Sequence, residues 1–170
     1  MINIGRHPLT IGVPSSQVPS WSYELFTSGR RDAAFVDTGY LRALLDERDQ
    51  YHSIAAEYFS SVDSIFYTSG FVLSEATRQM AKARRVAQGW RWERVERIKE
   101  LTLDSGTVLV VTPPQDIVSR ALSLLVDWQK VIVRLDLCDV ISILALDVLE
   151  HRRVVGFDSD FAVLGATMEP

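Results

Sequence analysis

Residues 33–41 read Ala-Ala-Phe-Val-Asp-Thr-Gly-Tyr-Leu, and this stretch begins the regular pattern of the chain. The four apolar residues Ala33–Val36 predict a short buried strand, and the spacing of apolar residues over 40–45 predicts a helix. Asp37 closes the apolar run. A carboxylate at that position is costly to desolvate unless it is paired or binds a metal, so Asp37 is predicted to have a specific partner.

The alternation of strands and helices continues to the end of the chain. Further strands are predicted at 64–68, 107–112 and 154–157. Ser69 is predicted to cap a helix, and other helices are predicted at 52–62, 90–105, 117–130 and 137–150. Strands separated by helices predict an α/β fold, in which a parallel sheet of four or five strands lies between two layers of helices.

The first part of the chain differs in composition from the rest. Residues 1–31 contain Pro8, Pro14 and Pro19, together with glycines and serines that interrupt any regular period. We expect a partly irregular N-terminal extension over 1–31 and a single domain over 32–170. The aromatic residues of the extension either dock on the domain or a partner, or belong to a loosely ordered leader.

Composition limits the class of protein. The chain has 170 residues, 47% of them hydrophobic, and a net charge of −4, which argues against general coating of nucleic acid. Cys138 is the single cysteine, which excludes an internal disulfide framework, suits a reducing cytoplasm and favours a buried filler over a reactive thiol. The longest apolar run, 140–149, is interrupted by Asp147, so we expect no membrane span and a cytoplasmic protein.

Four acidic residues lie near the ends of apolar runs. They are Asp37, Glu75, Asp139 and Asp158. Asp37 and Asp158 follow predicted strands, where sites of open α/β sheets form. Four carboxylates in such places predict one shared site, and a bound cation would make that site tolerable.

Four blocks of sequence, in order and at suitable spacing, resemble a known family. The blocks are 35–41 (FVDTGYL), 68–75 (TSGFVLSE), 135–142 (LDLCDVIS) and 155–161 (VGFDSDF), and the step from strand to helix at 111–114 fits the same pattern. The stretch from about Ala33 to Thr167 resembles a PIN domain, especially the VapC-type toxins of type II toxin–antitoxin systems. The resemblance implies a PIN-like three-layer sandwich and a metal-dependent endoribonuclease.

The resemblance also implies roles for individual residues. The catalytic quartet maps onto Asp37, Glu75, Asp139 and Asp158, and Mg²⁺ or Mn²⁺ would be held by Asp37, Asp139 and Asp158, with Asp160 as an auxiliary ligand. Thr38 would contact a phosphate or a metal-bound water. Implied partners are an RNA substrate, a cognate antitoxin and a second copy in a homodimer. One departure is Asp136, where relatives often carry serine.

A basic stretch lies between residues 78 and 99. It holds eight lysines and arginines against two glutamates, with Trp90 and Trp92 in its middle. Arg78 and Arg85 are predicted to contact RNA phosphates, with tryptophan stacking on bases. Two other interpretations stay open: a solvated helical pair with inward tryptophans, or a groove for an antitoxin.

Each acidic motif also has a purely structural interpretation. The Asp136-x-x-Asp139 spacing is typical of a helix cap, and Glu75 has possible partners on its own helix. Asp158 could be a turn residue, and Asp160 either an auxiliary ligand or a turn cap. An inactive PIN-like module that acts through binding is the alternative function. A receiver-like switch is disfavoured because its acids after the first strand and its late lysine are missing.

Overall fold

The computed structural model describes residues 33–82, 88–113, 115–148 and 151–170. The predicted extension over 1–31 lies outside this range, so the domain boundary at residue 32 stays a prediction. Arg85 of the predicted RNA-binding stretch also lies outside it.

The described residues form five strands and seven α-helices in alternation. The strands are β1 Ala33–Val36, β2 Ile65–Ser69, β3 Val108–Val111, β4 Arg153–Val155 and β5 Thr167–Glu169. The helices are α1 Thr38–Leu45, α2 His52–Ser61, α3 Gly70–Lys82, α4 Gln88–Lys99, α5 Gln115–Trp128, α6 Leu137–Val148 and α7 Asp160–Val163, with a π-helical turn at Glu100–Asp104 after α4.

All five strands are parallel and lie in the order β3-β2-β1-β4-β5. Strands β2 and β3 therefore extend the sheet on one side of β1, and strands β4 and β5 extend it on the other side. The strand order reverses between β1 and β4, where Phe35 pairs with Val154 and Val36 with Val155. In open α/β sheets the crevice at such a reversal, at the carboxyl ends of the strands, is where sites form.

The core covers both faces of the sheet. Each residue of β1 is at most 2% exposed, as expected for a central parallel strand between helices. Around it pack Tyr40, Tyr67 and Val154, while a second apolar cluster joins α5 to α6. The predicted α/β class and the central parallel sheet are confirmed.

The sequence did not predict β5 or α7. Strand β5 has only three residues, half-buried or exposed, so it lacks the apolar run that marks the other strands. A tertiary contact secures it: the Arg153 guanidinium donates to both carboxylate oxygens of Glu169, at 2.9 and 2.8 Å.

Helix α3 begins as the sequence predicts. The Ser69 hydroxyl accepts a hydrogen bond from the backbone N–H of Val72 at 3.2 Å. Val72, Ala76 and Met80 are buried along one side of the helix. Among the described residues, no helix is long and apolar enough to cross a membrane.

Candidate metal and active site

Asp37 begins the site at the carboxyl end of β1. Its backbone N–H donates to the Val155 carbonyl of β4 at 3.1 Å, which continues the pairing of the two strands. Its carboxylate caps α1 by accepting from the backbone N–H of Gly39 at 3.1 Å. The residue is only 6% exposed, so the sheet and the helix together fix the position of its carboxylate.

Glu75 reaches the site from α3. Its Oε2 accepts from the Thr38 hydroxyl at 3.0 Å, and its Oε1 accepts from the Gln79 side-chain amide at 2.9 Å. The Arg78 guanidinium lies 3.8 Å from Oε1. The contact with Thr38 ties α3 to the first turn of α1, which brings the carboxylate of Glu75 towards that of Asp37.

Asp139 and Asp136 form a reciprocal cap at the start of α6. The backbone N–H of Asp136 donates to Asp139 Oδ2 at 2.8 Å. In return, Asp136 Oδ1 accepts from the backbone N–H groups of Cys138 and Asp139, at 2.7 and 3.1 Å. The predicted helix cap is therefore present, and the hydrogen bonds that form it also hold both side chains in the site.

Asp158 enters from the loop after β4. One of its oxygens accepts from the backbone N–H of Asp160 at 2.9 Å. Gly156 precedes it, and a Cβ at that position would lie 3.2 Å from the Asp37 Cβ. The absence of a side chain at Gly156 thus permits the close approach of the two strand ends.

The carboxylates of Asp37, Glu75, Asp139 and Asp158 line a single cleft of about 440 Å³, and Asp136 lines it with them. The pKa of Asp37 is raised from 3.8 to about 6, mainly by burial and also by the charges of Glu75 and Asp158, against backbone hydrogen bonds that lower it. Burial likewise raises the pKa of Asp139 to about 7, helped by the charges of Asp136, Asp37 and Glu75. The cleft therefore holds carboxylates that destabilise one another when all are ionised.

A cation fits this environment. The ligand atoms of Glu75, Asp136 and Cys138 also lie within 4.8 Å of one another, which makes this edge of the cleft another place where an ion could be held. The side chains that line the cleft offer mainly carboxylate oxygens, which hard divalent cations prefer.

A known structure has the same architecture. The toxin VapC20 of Mycobacterium tuberculosis, described as cleaving the sarcin-ricin loop, superposes with a TM-score of 0.68 at 22% identity, over 79% of this chain and 96% of that chain. The chain has a PIN-like fold. No protein-family model matches the sequence, and no curated protein matches it.

Within the PIN-like fold, Asp160 is placed differently from the quartet. It begins α7, and its carboxylate lies 3.6 Å from the Arg134 guanidinium. It is absent from the described residues that line the cleft, whereas Arg134 is among them. Its assignment as an auxiliary metal ligand stays a prediction.

The three residues predicted to contact substrate differ in their location and exposure. Thr38 lines the cleft of the PIN-like fold, but it is buried and its hydroxyl donates to Glu75. Arg78 is 59% exposed on its side chain and lines a neighbouring hollow with Asp136. Arg85 lies outside the described residues.

The described part of the basic stretch is largely paired. Arg94 is 5% exposed and lies 2.5 Å from Asp46, and Arg97 lies 3.7 Å from Glu47. Lys99 pairs with Glu96 and Asp104. The pairs of Arg94 and Arg97 dock α4 on the turn after α1. All of these pairs leave the cations less available for phosphate than the sequence alone indicates.

Cys138 lies beside the cleft, half-buried in the first turn of α6. Burial raises the pKa of its thiol well above the usual range, and the charges of Glu75 and Asp136 add to the effect. The thiol is therefore protonated, in agreement with the prediction of a filler rather than a reactive group.

Sequence reasoning missed several residues of the cleft. They are Arg42, Tyr51, Arg134, Phe157 and Ser159. Phe157 and Ser159 flank Asp158, so their proximity to that residue was the only signal in the sequence. Arg42 lies within α1, Tyr51 directly precedes α2, and Arg134 lies in the loop between α5 and α6, so only the fold brings these three side chains to the quartet.

Proposed function

We propose that this chain is a metal-dependent endoribonuclease that hydrolyses RNA phosphodiester bonds in the cytoplasm, as the toxin of a type II toxin–antitoxin pair. The observation that carries the proposal is the convergence of Asp37, Glu75, Asp139 and Asp158 in one cleft at the strand reversal. Carboxylates of like charge brought together, with the pKa values of Asp37 and Asp139 raised, are typical of functional sites rather than of structural pairs.

Mg²⁺ or Mn²⁺ is the proposed cofactor. Asp37, Asp139 and Asp158 would hold the ion, and Asp160 would join them if its carboxylate turned away from Arg134. A divalent cation bound here would neutralise the carboxylates and polarise a phosphoryl oxygen of the substrate.

The side chains of the cleft have distinct proposed tasks. Glu75 would orient the attacking water, and Thr38 would keep Glu75 in place through the 3.0 Å hydrogen bond between them. The Arg134 side chain, 80% exposed at the cleft, would contact a phosphate of the RNA backbone. Arg78, exposed beside Glu75, would do the same on the α3 side.

The choice of RNA as substrate is supported by the similarity to a toxin that cleaves the sarcin-ricin loop. The same similarity supports a cognate antitoxin as protein partner. A homodimer is the assembled form that we propose. The intact quartet supports an active enzyme over an inactive module that only binds.

The test is cleavage of a mixed RNA pool by the full chain with Mg²⁺, with Mn²⁺ or with EDTA. Asp37→Asn removes one proposed ligand, and Asp127→Asn is the matched control, since Asp127 is 69% exposed on α5 and pairs with Lys130. We expect metal-dependent cutting that Asp37→Asn abolishes and Asp127→Asn retains.

Two results would count against the proposal. Cutting that persists in EDTA, or that Asp37→Asn leaves at full rate, would separate the activity from this cleft. A folded protein that binds RNA or protein without cutting the pool would favour the inactive binding module.

A further inference from the structure

Three aromatic rings form a stack that runs from the core to the edge of the cleft. Tyr40 is fully buried, and its ring lies 5.9 Å from that of Phe157 at an angle of 23°. Phe157 in turn stacks on Tyr51, with ring centroids 4.3 Å apart and an angle of 13°. Among the described residues, Tyr51 is the outer end of this stack.

The outer ring belongs to the cleft. Tyr51 and Phe157 both line it, next to Asp158, and Tyr51 is 37% exposed. Phe157 stacks on one face of the Tyr51 ring. A ligand can therefore reach the ring only at its other face and its edges, beside the carboxylates that line the cleft.

A hydrogen bond to Asp49 fixes the backbone of Tyr51. Its backbone N–H donates to Asp49 Oδ1 at 3.0 Å. The other oxygen of Asp49 accepts from Nε of Arg42 at 3.1 Å, and Arg42 lines the same cleft. The ring is therefore fixed by Phe157 on its inner face and by Asp49 at its backbone, which reduces the entropy lost when a ligand stacks on it.

We propose that the exposed face of Tyr51 is a binding subsite for one unpaired nucleobase of the RNA. The inference rests on the proposed function, because it takes RNA as the ligand of the cleft. Base stacking on an aromatic ring is favourable for every base, since every base has a π-face. The ribose–phosphate that carries the stacked base would then continue towards the carboxylates and Arg134.

The subsite restricts the shape of the substrate. A base inside an A-form duplex is already stacked on its neighbours and shows no free face to Tyr51. Only a base in a single strand, a loop or a bulge can use the ring. The subsite therefore selects substrates with an unpaired nucleotide near the cleavage site and tolerates any base there.

The test uses the Asp37→Asn protein with Mg²⁺, so that binding is measured without cleavage. The probes are short single-stranded RNAs that carry 2-aminopurine at one position each, because the fluorescence of this base is quenched by stacking. We expect quenching at one position, and Tyr51→Ala in the same background should lose it and bind about tenfold more weakly. Tyr51→Phe should retain most of the quenching.

Ile54→Ala is the matched control, since Ile54 is exposed on α2 and lies outside the described lining of the cleft. It should change neither quenching nor affinity. In the same RNAs closed into a duplex, the 2-aminopurine is already stacked, so binding should cause no further change in its fluorescence.

The result that overturns the subsite is equal affinity and quenching for Tyr51→Ala and its parent, or no quenching at any position. A lowered melting temperature of Tyr51→Ala with unchanged affinity would assign the ring to packing alone and also overturn it. Failure of the proposed function gives a different result. In that case the unsubstituted chain does not cut RNA with Mg²⁺, while the quenching that depends on Tyr51 is still observed in the Asp37→Asn protein.

Discussion

Replacing Asp37 by Asn should make the metal-free protein more stable while it abolishes cleavage. Asn keeps an oxygen that can accept from the Gly39 N–H, and it is as good an N-cap as Asp. What the change removes is a buried charge. The interval between the ordinary pKa of 3.8 and the folded value of about 6 corresponds to about 3 kcal/mol. This is an upper limit for the increase in the free energy of unfolding that Asp37→Asn gives at pH 8.

The gain should depend on pH in a defined direction. Because the folded pKa of Asp37 is raised, the folded protein keeps a proton that the unfolded chain loses between about pH 4 and pH 6. The contribution of Asp37 to the stability of the parent protein without metal should therefore fall as the pH rises through this range and stay level above it. The difference between parent and variant should be largest at pH 8 and should shrink towards pH 5.

Thermal unfolding in EDTA at pH 8 and pH 5 measures the effect, with Asp127→Asn as the control. A gain of about 2 kcal/mol would raise the melting temperature by roughly 4–8 °C for a domain of this size. Millimolar Mg²⁺ should then stabilise the parent more than the variant, because the parent retains the ligand. The reasoning is refuted if Asp37→Asn is less stable than the parent at pH 8 without metal, or if the difference is the same at both pH values.

Three other changes test separate contacts. The affinity for Mg²⁺, measured by calorimetry, should rise between pH 6 and pH 8, because the carboxyl of Asp139 has a pKa of about 7 and binds metal only when ionised; an affinity that is independent of pH would contradict this. Thr38→Val removes the hydrogen bond to Glu75 and should slow single-turnover cleavage about tenfold. Thr38→Ser keeps a hydroxyl and should retain most of the rate. A Thr38→Val variant that cleaves at the parent rate would exclude the positioning role. Gly156→Ala places a Cβ 3.2 Å from the Asp37 Cβ and should lower the free energy of unfolding in urea by about 1–3 kcal/mol, whereas Gly70→Ala, with no neighbour within 4 Å, should not.

The sequence predicted the central part of the fold well because those signals are local. Strand β1 has the predicted bounds Ala33–Val36, and the capping hydroxyl of Ser69 is where the sequence places it. Apolar runs and helix caps depend on residues close together in the chain, so they can be recognised without knowing the sheet. The edge strand β5 has no such run, and its pairing with β4 and the contact between Arg153 and Glu169 are tertiary.

The position of two of the four acids, Asp37 and Asp158, at the ends of strands was also visible in the sequence. Parallel strands place their carboxyl ends at one edge, so Asp37 and Asp158 had to lie on the same side of the sheet. Their adjacency required the order of the strands, with β4 directly beside β1. The glycine at 156 then allowed the close approach of the two chain segments.

By itself, the sequence determined the α/β pattern, the ends of the central strand β1 and the acidic character of the site, because each of these depends on residues that are neighbours in the chain. Only the tertiary structure decided that Arg134 pairs with Asp160, and that Thr38 holds Glu75. It also placed Tyr51 on Phe157 at the edge of the cleft. Such contacts join residues far apart in the chain, and their geometry depends on how helices pack on the sheet, for which local periodicity carries no information.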